Sequence, residues 1–325
     1  MESGQSRYKP LAWRRAHPNT PVLILCSVAL TKTDALIQRF RDLNVWRRGD
    51  ERAPHKPLLV LYALGQLQAG AARLIPFDQL ERPLERLLEE FGPPRKSTHP
   101  EFPFYHLQND GVWEIDEKAH PLTRRKGSKN PLRTELRKWH VGGGFTNEIF
   151  EELNRRPEAV RELARELLAS HFPDSLHLSI ASATGLELEA TTRNPLRDST
   201  FRRSVVSAWG HQCAFCGYAV KLDNADLGIE AAHIRWVQSG GPDTTDNGLA
   251  CCSIHHQAFD RGAITISDDL LILVSSRVHG GGRLDDLFLA LHGAPLPKPA
   301  LKTAQPRREF LEWHRSEVFR GVARS

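Results

Sequence analysis

The sequence predicts an α+β chain of two domains. The first is mainly helical with a small β element over residues 33–170, and the second, over residues 196–325, is framed by a cysteine–histidine metal knuckle. Three observations support this. Apolar residues recur at three- and four-residue spacing through several segments before residue 170. Two short alternating runs flank the turn-forming Gln108-Asn-Asp-Gly111. Cys213-Ala-Phe-Cys216 is followed at a distance by Cys252-Ser-Ile-His255, which repeats its two-residue gap.

Of the 325 residues, 40% are hydrophobic and 26% charged, a globular balance. The longest apolar run, Pro21–Leu30, falls well short of the roughly 20 residues that a membrane span needs. Five cysteines, two of them in one Cys-x-x-Cys, exclude a disulfide-built secreted scaffold and point to metal. Most of the net charge of +5 sits in residues 1–32, where five basic side chains face one acidic. That stretch reads as a poorly ordered tail or a misassigned start, with Val28 as the alternative initiator. A short signal peptide is the weaker alternative, because the apolar part after Arg14 and Arg15 is brief.

The elements follow in order. Thr33 or Asp34 caps a helix with Leu36, Ile37, Phe40 and Leu43 on one face. Pro57 suits the first turn of a buried helix over 56–69, rich in leucine. Phe77–Phe91 is an amphipathic helix with Leu80, Leu84, Leu87 and Leu88 inward, in which Pro83 is tolerated. Phe104–Leu107 and Val112–Ile115 form the expected hairpin, and 128–138 and 147–170 are further helices. Gly142-Gly-Gly144 lacks a phosphate-loop pattern and reads as a flexible turn. Trp46, Phe104, Tyr105 and Trp113 could stack bases but read better as packing residues. Residues 171–195 show no period and serve as a linker; a flexible chain of that length spans about 25–30 Å. A strand over 270–274 and a helix over 309–319 complete the second domain.

Cys213, Cys216, Cys252 and His255 can close a tetrahedral structural zinc site, with no position left for water. Cys251 is a spare; replacing Cys252 as ligand, it would stand three residues from His255 instead of two. Between and after the two pairs come His233, Asn247 and His256. The order His, Asn, His around a zinc knuckle resembles the HNH nuclease family of ββα-metal folds. The resemblance implies a phosphodiester hydrolase. In it His233 is the general base, a task suited to a near-neutral imidazole. Asn247 braces the loop. His256 binds a catalytic Mg2+ or Mn2+, with Asp260 one helical turn later as a second oxygen-donating ligand. Many family members carry a metal ligand just before the base; here that position is Ala232, and Glu230 lies two residues earlier. The cation is then held by fewer protein ligands or by Glu230.

Residues 40–138, through FRDLNVWRRGDERAPHKPLLVLYALGQL and EEFGPPRKSTHPEFPFYHLQNDGVWEI, resemble the sulfur-binding domain of type IV restriction endonucleases. That resemblance implies recognition of double-stranded DNA carrying a phosphorothioate. Sulfur is larger and less tightly hydrated than oxygen, so a selective pocket is partly apolar, and burying an ordinary phosphate oxygen there is costly. By resemblance His99, Pro100 and Pro103 form the pocket. Residues 118–138 hold eight basic side chains and one acidic, net +7. Arg125, with Arg124 beside it, is assigned to base edges or sulfur-adjacent contacts, and Arg95 and Lys96 to phosphates. His55 and Lys56 match another DNA-contacting stretch. The reading is a cytoplasmic, modification-dependent endonuclease, acting as a single chain or a homodimer. On a free linker its cut would vary in position. An HNH enzyme targeted to methylated bases, a non-cleaving DNA-binding regulator and a homing or colicin-like nuclease are the other readings.

Overall fold

A computed structural model describes residues 32–44, 51–117, 121–125, 127, 129–188 and 195–324. The readings made of the tail before Lys32, of Trp46 and of Lys126 lie outside the described residues. The first domain runs α1 (Lys32–Arg41), α2 (His55–Gln68), β1 (Ile75–Pro76), α3 (Phe77–Phe91), α4 (Glu101–His106), β2 (Trp113–Ile115), α5 (Arg133–Lys138), β3 (Gly142–Phe145), α6 (Asn147–Arg155), α7 (Pro157–His171) and α8 (Asp174–Thr184). Helix α2 is central, with Leu58, Leu59, Val60, Leu61 and Leu64 fully buried, as its apolar run demands. It packs against α3, α7 and α8. Pro83 lies inside α3 without ending it.

Two sequence expectations change here. Residues 104–107 are not a strand. Pro103 sits in the first turn of α4, where its ring costs no hydrogen bond. The chain then turns through a 3-10 helix, Leu107–Asp110, closed by Gly111 at φ 70°. Only the second half of the expected hairpin is a strand, and it pairs elsewhere. The triglycine segment is that partner: β3 is the centre of an antiparallel sheet of order β1-β3-β2. The glycines are there for space. A Cβ on Gly143 would lie 2.6 Å from the Phe104 ring, and one on Gly144 would lie 1.8 Å from the Arg73 carbonyl.

The expected linker also differs. It carries α8, with Leu176, Ile180 and Ala181 in the first core, so the free tether assumed for 171–195 does not extend over its length. A period of three to four residues is present in those side chains but is short and diluted by Ser and His.

The second domain runs α9 (Pro195–Ala208), β4 (Lys221–Leu222), β5 (Ala225–Asp226), β6 (Ile229–His233), β7 (Gly248–Cys252), α10 (Ser253–Asp260), β8 (Ile264–Ile266), β9 (Ile272–Val274), α11 (Leu284–Leu287) and α12 (Arg308–Glu317). Strands β6 and β7 pair antiparallel, with His233 opposite Gly248 and Glu230 opposite Cys251, and α10 follows at once. This is a ββα unit. Helix α9 packs across both of its strands.

The two domains are packed together. Trp236, Trp313 and Val318 of the second domain belong to the core of the first. The Arg52 guanidinium lies 3.9 Å over the Trp236 ring and donates to the Glu317 carbonyl at 3.0 Å and the Phe91 carbonyl at 2.8 Å. Arg320 donates to the carbonyls of Glu89 and Glu90 at 3.0 and 2.7 Å, and Arg261 pairs with Glu90.

The close approach of α2 to α8 gives a direct test. A Cβ on Gly65 would lie 1.9 Å from the Thr184 carbonyl oxygen. Gly65→Ala, which raises helix propensity by about 1 kcal/mol, should still lower stability by about 1–3 kcal/mol in urea denaturation, because backbone must move.

Candidate functional site

Three sulfurs and one imidazole nitrogen converge first. The ligand atoms of Cys213, Cys216, Cys252 and His255 all lie within 4.8 Å of one another. Cys213 Sγ is 3.7 Å and Cys252 Sγ 3.1 Å from His255 Nδ1, and Cys216 and Cys252 sulfurs are 4.0 Å apart. A tetrahedron of zinc–sulfur bonds near 2.3 Å has edges of about 3.8 Å, so the set fits a closed zinc site. The other ring nitrogen, His255 Nε2, donates to the Leu287 carbonyl at 2.8 Å, which presents Nδ1 as the ligand. Packing sulfurs this closely drives the Cys213 thiol strongly down and the Cys216 thiol strongly up. Cys251 points the other way along β7, fully buried in the core, and lies outside the cluster.

The knuckle sets the register of β6 and β7, and that register places the HNH residues. His233 ends β6. Its ring stacks on Phe201 at 3.8 Å, and its Nε2 lies 2.8 Å from Asp243 Oδ1. Burial pushes the His233 pKa down, against the pull of the Asp243 carboxylate. With Nε2 carrying the proton towards Asp243, Nδ1 keeps a lone pair. Asn247 is completely buried. Its Oδ1 accepts from the Arg235 amide at 2.9 Å, and its Nδ2 donates to the carbonyls of Arg235 and Pro242 at 3.0 and 2.9 Å. It ties together the two ends of the loop that carries Asp243.

His256 lies on α10 between two carboxylates. Nδ1 is 2.6 Å from Glu230 Oε2, and Nε2 is 3.1 Å from Asp260 Oδ2. Burial opposes a charged ring there, yet Asp260 and Glu230 outweigh it and hold His256 up at about 10. Asp260 differs from its expected place as a ligand. Its side chain is 1% exposed, Trp236 Nε1 donates to its Oδ1 at 3.2 Å, and Ser175 Oγ donates to its Oδ2. The carboxylate is thus enclosed behind His256, with both oxygens engaged. Glu230 is the partly exposed carboxylate of the pair; Ala232 has no exposure at all.

The residues expected to touch DNA gather at the start of α4. His99 stacks on Phe102 with centroids 4.5 Å apart, and the Arg125 guanidinium lies 5.5 Å over that same ring. Glu101 is fully buried beneath them. Its Oε1 accepts from Arg125 at 2.8 Å and lies 3.2 Å from His99 Nδ1, while its Oε2 has no hydrogen-bond partner. His55 joins the group: burial first, then the charges of Arg95, His99 and Arg52, push its pKa down to about 4. It is a neutral ring in a positive field. Pro100 and Pro103 are buried, so Phe102 and His99 are the surfaces that this segment turns outward. Arg124 lies 4.5 Å over the Tyr105 ring and bonds its hydroxyl. Arg95 sits 3.3 Å from Glu317 and 3.5 Å from Glu51, and Lys96 is exposed. Lys56 is turned inward, held by Asp110 and the Asn44 carbonyl, so its ammonium is spent on the fold. Phe104 and Trp113 are core residues, as their packing reading expects.

Sequence reasoning missed Asp243, Phe102, Glu101 and Ser175. Asp243 lies in a Pro-Asp-Thr-Thr-Asp run with no diagnostic spacing. Ser175 is far from the site in sequence, and nothing local marks it. Phe102 was legible as an aromatic inside the pocket segment itself.

The chain matches known families over two stretches. Residues 33–189 match the ScoMcrA-like DNA sulfur-binding domain, and residues 213–267 match an HNH endonuclease model. The chain is similar to the solved sulfur-binding domain of ScoMcrA complexed with phosphorothioated DNA, at 27% identity and a TM-score of 0.40, covering 46% of this chain and 94% of that one. It is similar to the type IV phosphorothioation-dependent restriction endonuclease ScoMcrA at 26% identity and a TM-score of 0.39, where it covers 46% of this chain and spans 32% of that protein. The modification-dependent TagI restriction endonuclease is similar at 27% identity and a TM-score of 0.30, over 42% of this chain and 41% of that one. No curated protein matches the chain. Among the described residues no helix is long and apolar enough to cross a membrane. The chain joins a ScoMcrA-like DNA sulfur-binding domain to an HNH endonuclease domain.

Proposed function

We propose that this endonuclease docks its first domain on a phosphorothioate in duplex DNA and hydrolyses a nearby phosphodiester through His233. The supporting observation is the convergence of Phe102, His99 and Arg125 at one spot, an apolar and cationic surface. Such a surface accepts a weakly hydrated sulfur more easily than a phosphate oxygen, which needs strong donors when desolvated. Arg125 and Arg124 serve base edges or the modified group, and Arg95, Lys96 and the basic stretch after residue 118 serve phosphates. Pro100 and Pro103 act from below, fixing the backbone that presents His99 and Phe102.

In the nuclease, His233 Nδ1 takes a proton from the attacking water, while Asp243 holds Nε2 and steadies the ring that becomes charged. The hydroxide oxygen bonds to phosphorus as the bond to the 3′ oxygen breaks. Asn247 keeps the loop that carries Asp243 in register. HNH chemistry requires a divalent metal. The donors fit Mg2+ or Mn2+ at His256 Nδ1 and Glu230, a nitrogen and a hard carboxylate, with Asp260 orienting the ring. A bound cation supplies positive charge against the charge developing on the phosphate. Zn2+ is the structural ion of the Cys3His cluster. The protein works in the cytoplasm, where its DNA lies. Two chains act for a double-strand break, since one site cuts one strand. Because the domains pack together, the cut falls within a restricted distance of the modification, not over the reach of a free tether.

The targeting reading is tested by mobility shift of the full chain, at one fixed salt, on matched duplexes with and without a single phosphorothioate. Tighter binding to the modified duplex is expected; equal affinity would remove it, and preference for a methylated duplex would favour the base-reading alternative. His233→Ala should lower plasmid nicking about 10²–10⁴-fold with DNA affinity retained. A base must be neutral to act, and the His233 pKa is lowered, so the acid limb of the rate profile should fall below the ordinary histidine value of about 6.5. Asp243→Asn removes the carboxylate that raises it and should shift that limb further to acid. Zinc in such a knuckle binds with on the order of 10 kcal/mol, as large as a domain's whole stability. Cys216→Ser or a strong chelator should therefore unfold the ββα unit, seen as zinc release together with loss of its hydrogen-exchange protection.

A further inference from the structure

Ser175 belongs to α8, within the stretch matched by the sulfur-binding domain, yet its hydroxyl bonds the nuclease's Asp260. Asp260 is 1% exposed at its side chain and its Oδ2 lies 3.1 Å from His256 Nε2. Burying a carboxylate is costly unless its oxygens find donors. Oδ1 takes the Trp236 indole at 3.2 Å, and Trp236 is itself covered by Arg52 of the first domain at 3.9 Å. Oδ2 takes Ser175 and faces His256 Nε2 at 3.1 Å. Of these groups Ser175 comes from the recognition domain itself, and Trp236 is covered by Arg52 of that domain. Helix α8 is a firm support for its part. Leu176, Ile180 and Ala181 are buried, and its last turn lies against Gly65 of α2 with no room for a methyl group. Gln238 Nε2 adds a second tie in the same region, donating to the Phe172 carbonyl at 3.0 Å.

We propose that Ser175 is a positioning residue of the nuclease: the recognition domain, through this hydroxyl, orients Asp260 and so aims His256 at the catalytic cation. This rests on the reading of His256 as a cation ligand. Without the hydroxyl, the carboxylate is held by Trp236 and His256 alone and its plane is less firmly set. The direction of the imidazole is then set less tightly, by Glu230 on one side and a looser Asp260 on the other. The HNH site is on this account incomplete without the domain that reads the DNA.

The test compares full-length Ser175→Thr and Ser175→Val, nearly equal in volume and differing in the hydroxyl, with the wild type and with Ser175→Ala. Three quantities are measured: DNA affinity by mobility shift, nicking turnover against Mn2+ concentration, and Mn2+ binding by calorimetry without DNA. Loss of a hydrogen bond to a charged group should lower turnover about tenfold and weaken Mn2+ binding about tenfold in the Ala and Val chains, with DNA affinity unchanged. The Thr chain should keep both near wild type. If Val and Thr chains bind Mn2+ and cut alike, the proposal is overturned, whatever the Ala chain does. A wild-type chain that binds Mn2+ but leaves modified DNA intact would sink the nuclease reading instead, and the Thr–Val difference in Mn2+ affinity then judges Ser175 by itself.

Discussion

A single buried carboxylate constrains much of this molecule. Asp260 is costly to bury without partners, and the partners come from three separate parts of the chain: α8, the loop after β6, and its own helix. Satisfying it brings Ser175 and Trp236 to within bonding distance of α10. Trp236 in turn draws Arg52 over its face, and Arg52 reaches Glu317 and Phe91. A chain of contacts thus runs from the metal-facing histidine to the base of the recognition surface. The two domains share a core along this path, so the second domain is fixed in relation to the first.

The same logic of charge and space recurs at the recognition surface. Glu101 is buried under His99 and Arg125 and holds both from one oxygen. It cancels part of the local positive charge and sets the Arg125 guanidinium above Phe102. The outcome is a surface that is cationic at its rim and aromatic at its centre. Lys56 shows the opposite outcome. Its ammonium is consumed by Asp110, so a basic residue in a basic stretch serves the fold alone.

Much of the nuclease was legible in the sequence because its spacing is local. Two residues between ligands define a knuckle, and the alternation of a strand separates Cys252 from Cys251. His233, Asn247 and His256 fall into place once that register is set. The leucine-rich α2 and the amphipathic α3 were equally readable, since burial on one face or on all faces leaves a period in the side chains. The triglycine strand was not readable. Glycine selected for close approach to Phe104 and Arg73 looks, in one dimension, the same as glycine selected for flexibility. Helix α8 was hidden in a similar way, its few apolar residues too short a run to stand out from a linker.

By itself the sequence determined the chemistry available: a Cys3His ligand set, an imidazole base, a second imidazole beside carboxylates, and a basic stretch near a Pro- and aromatic-rich segment. Those are properties of residue type and short-range spacing. Only the tertiary structure decided how the groups are used. It enclosed Asp260 between Trp236 and Ser175, drew Asp243 to His233, and withdrew Lys56 from the surface. The physical reason is that burial and hydrogen-bond partnership depend on residues far apart in the chain. A carboxylate's role is set by what encloses it, and that is known only when the chain has folded.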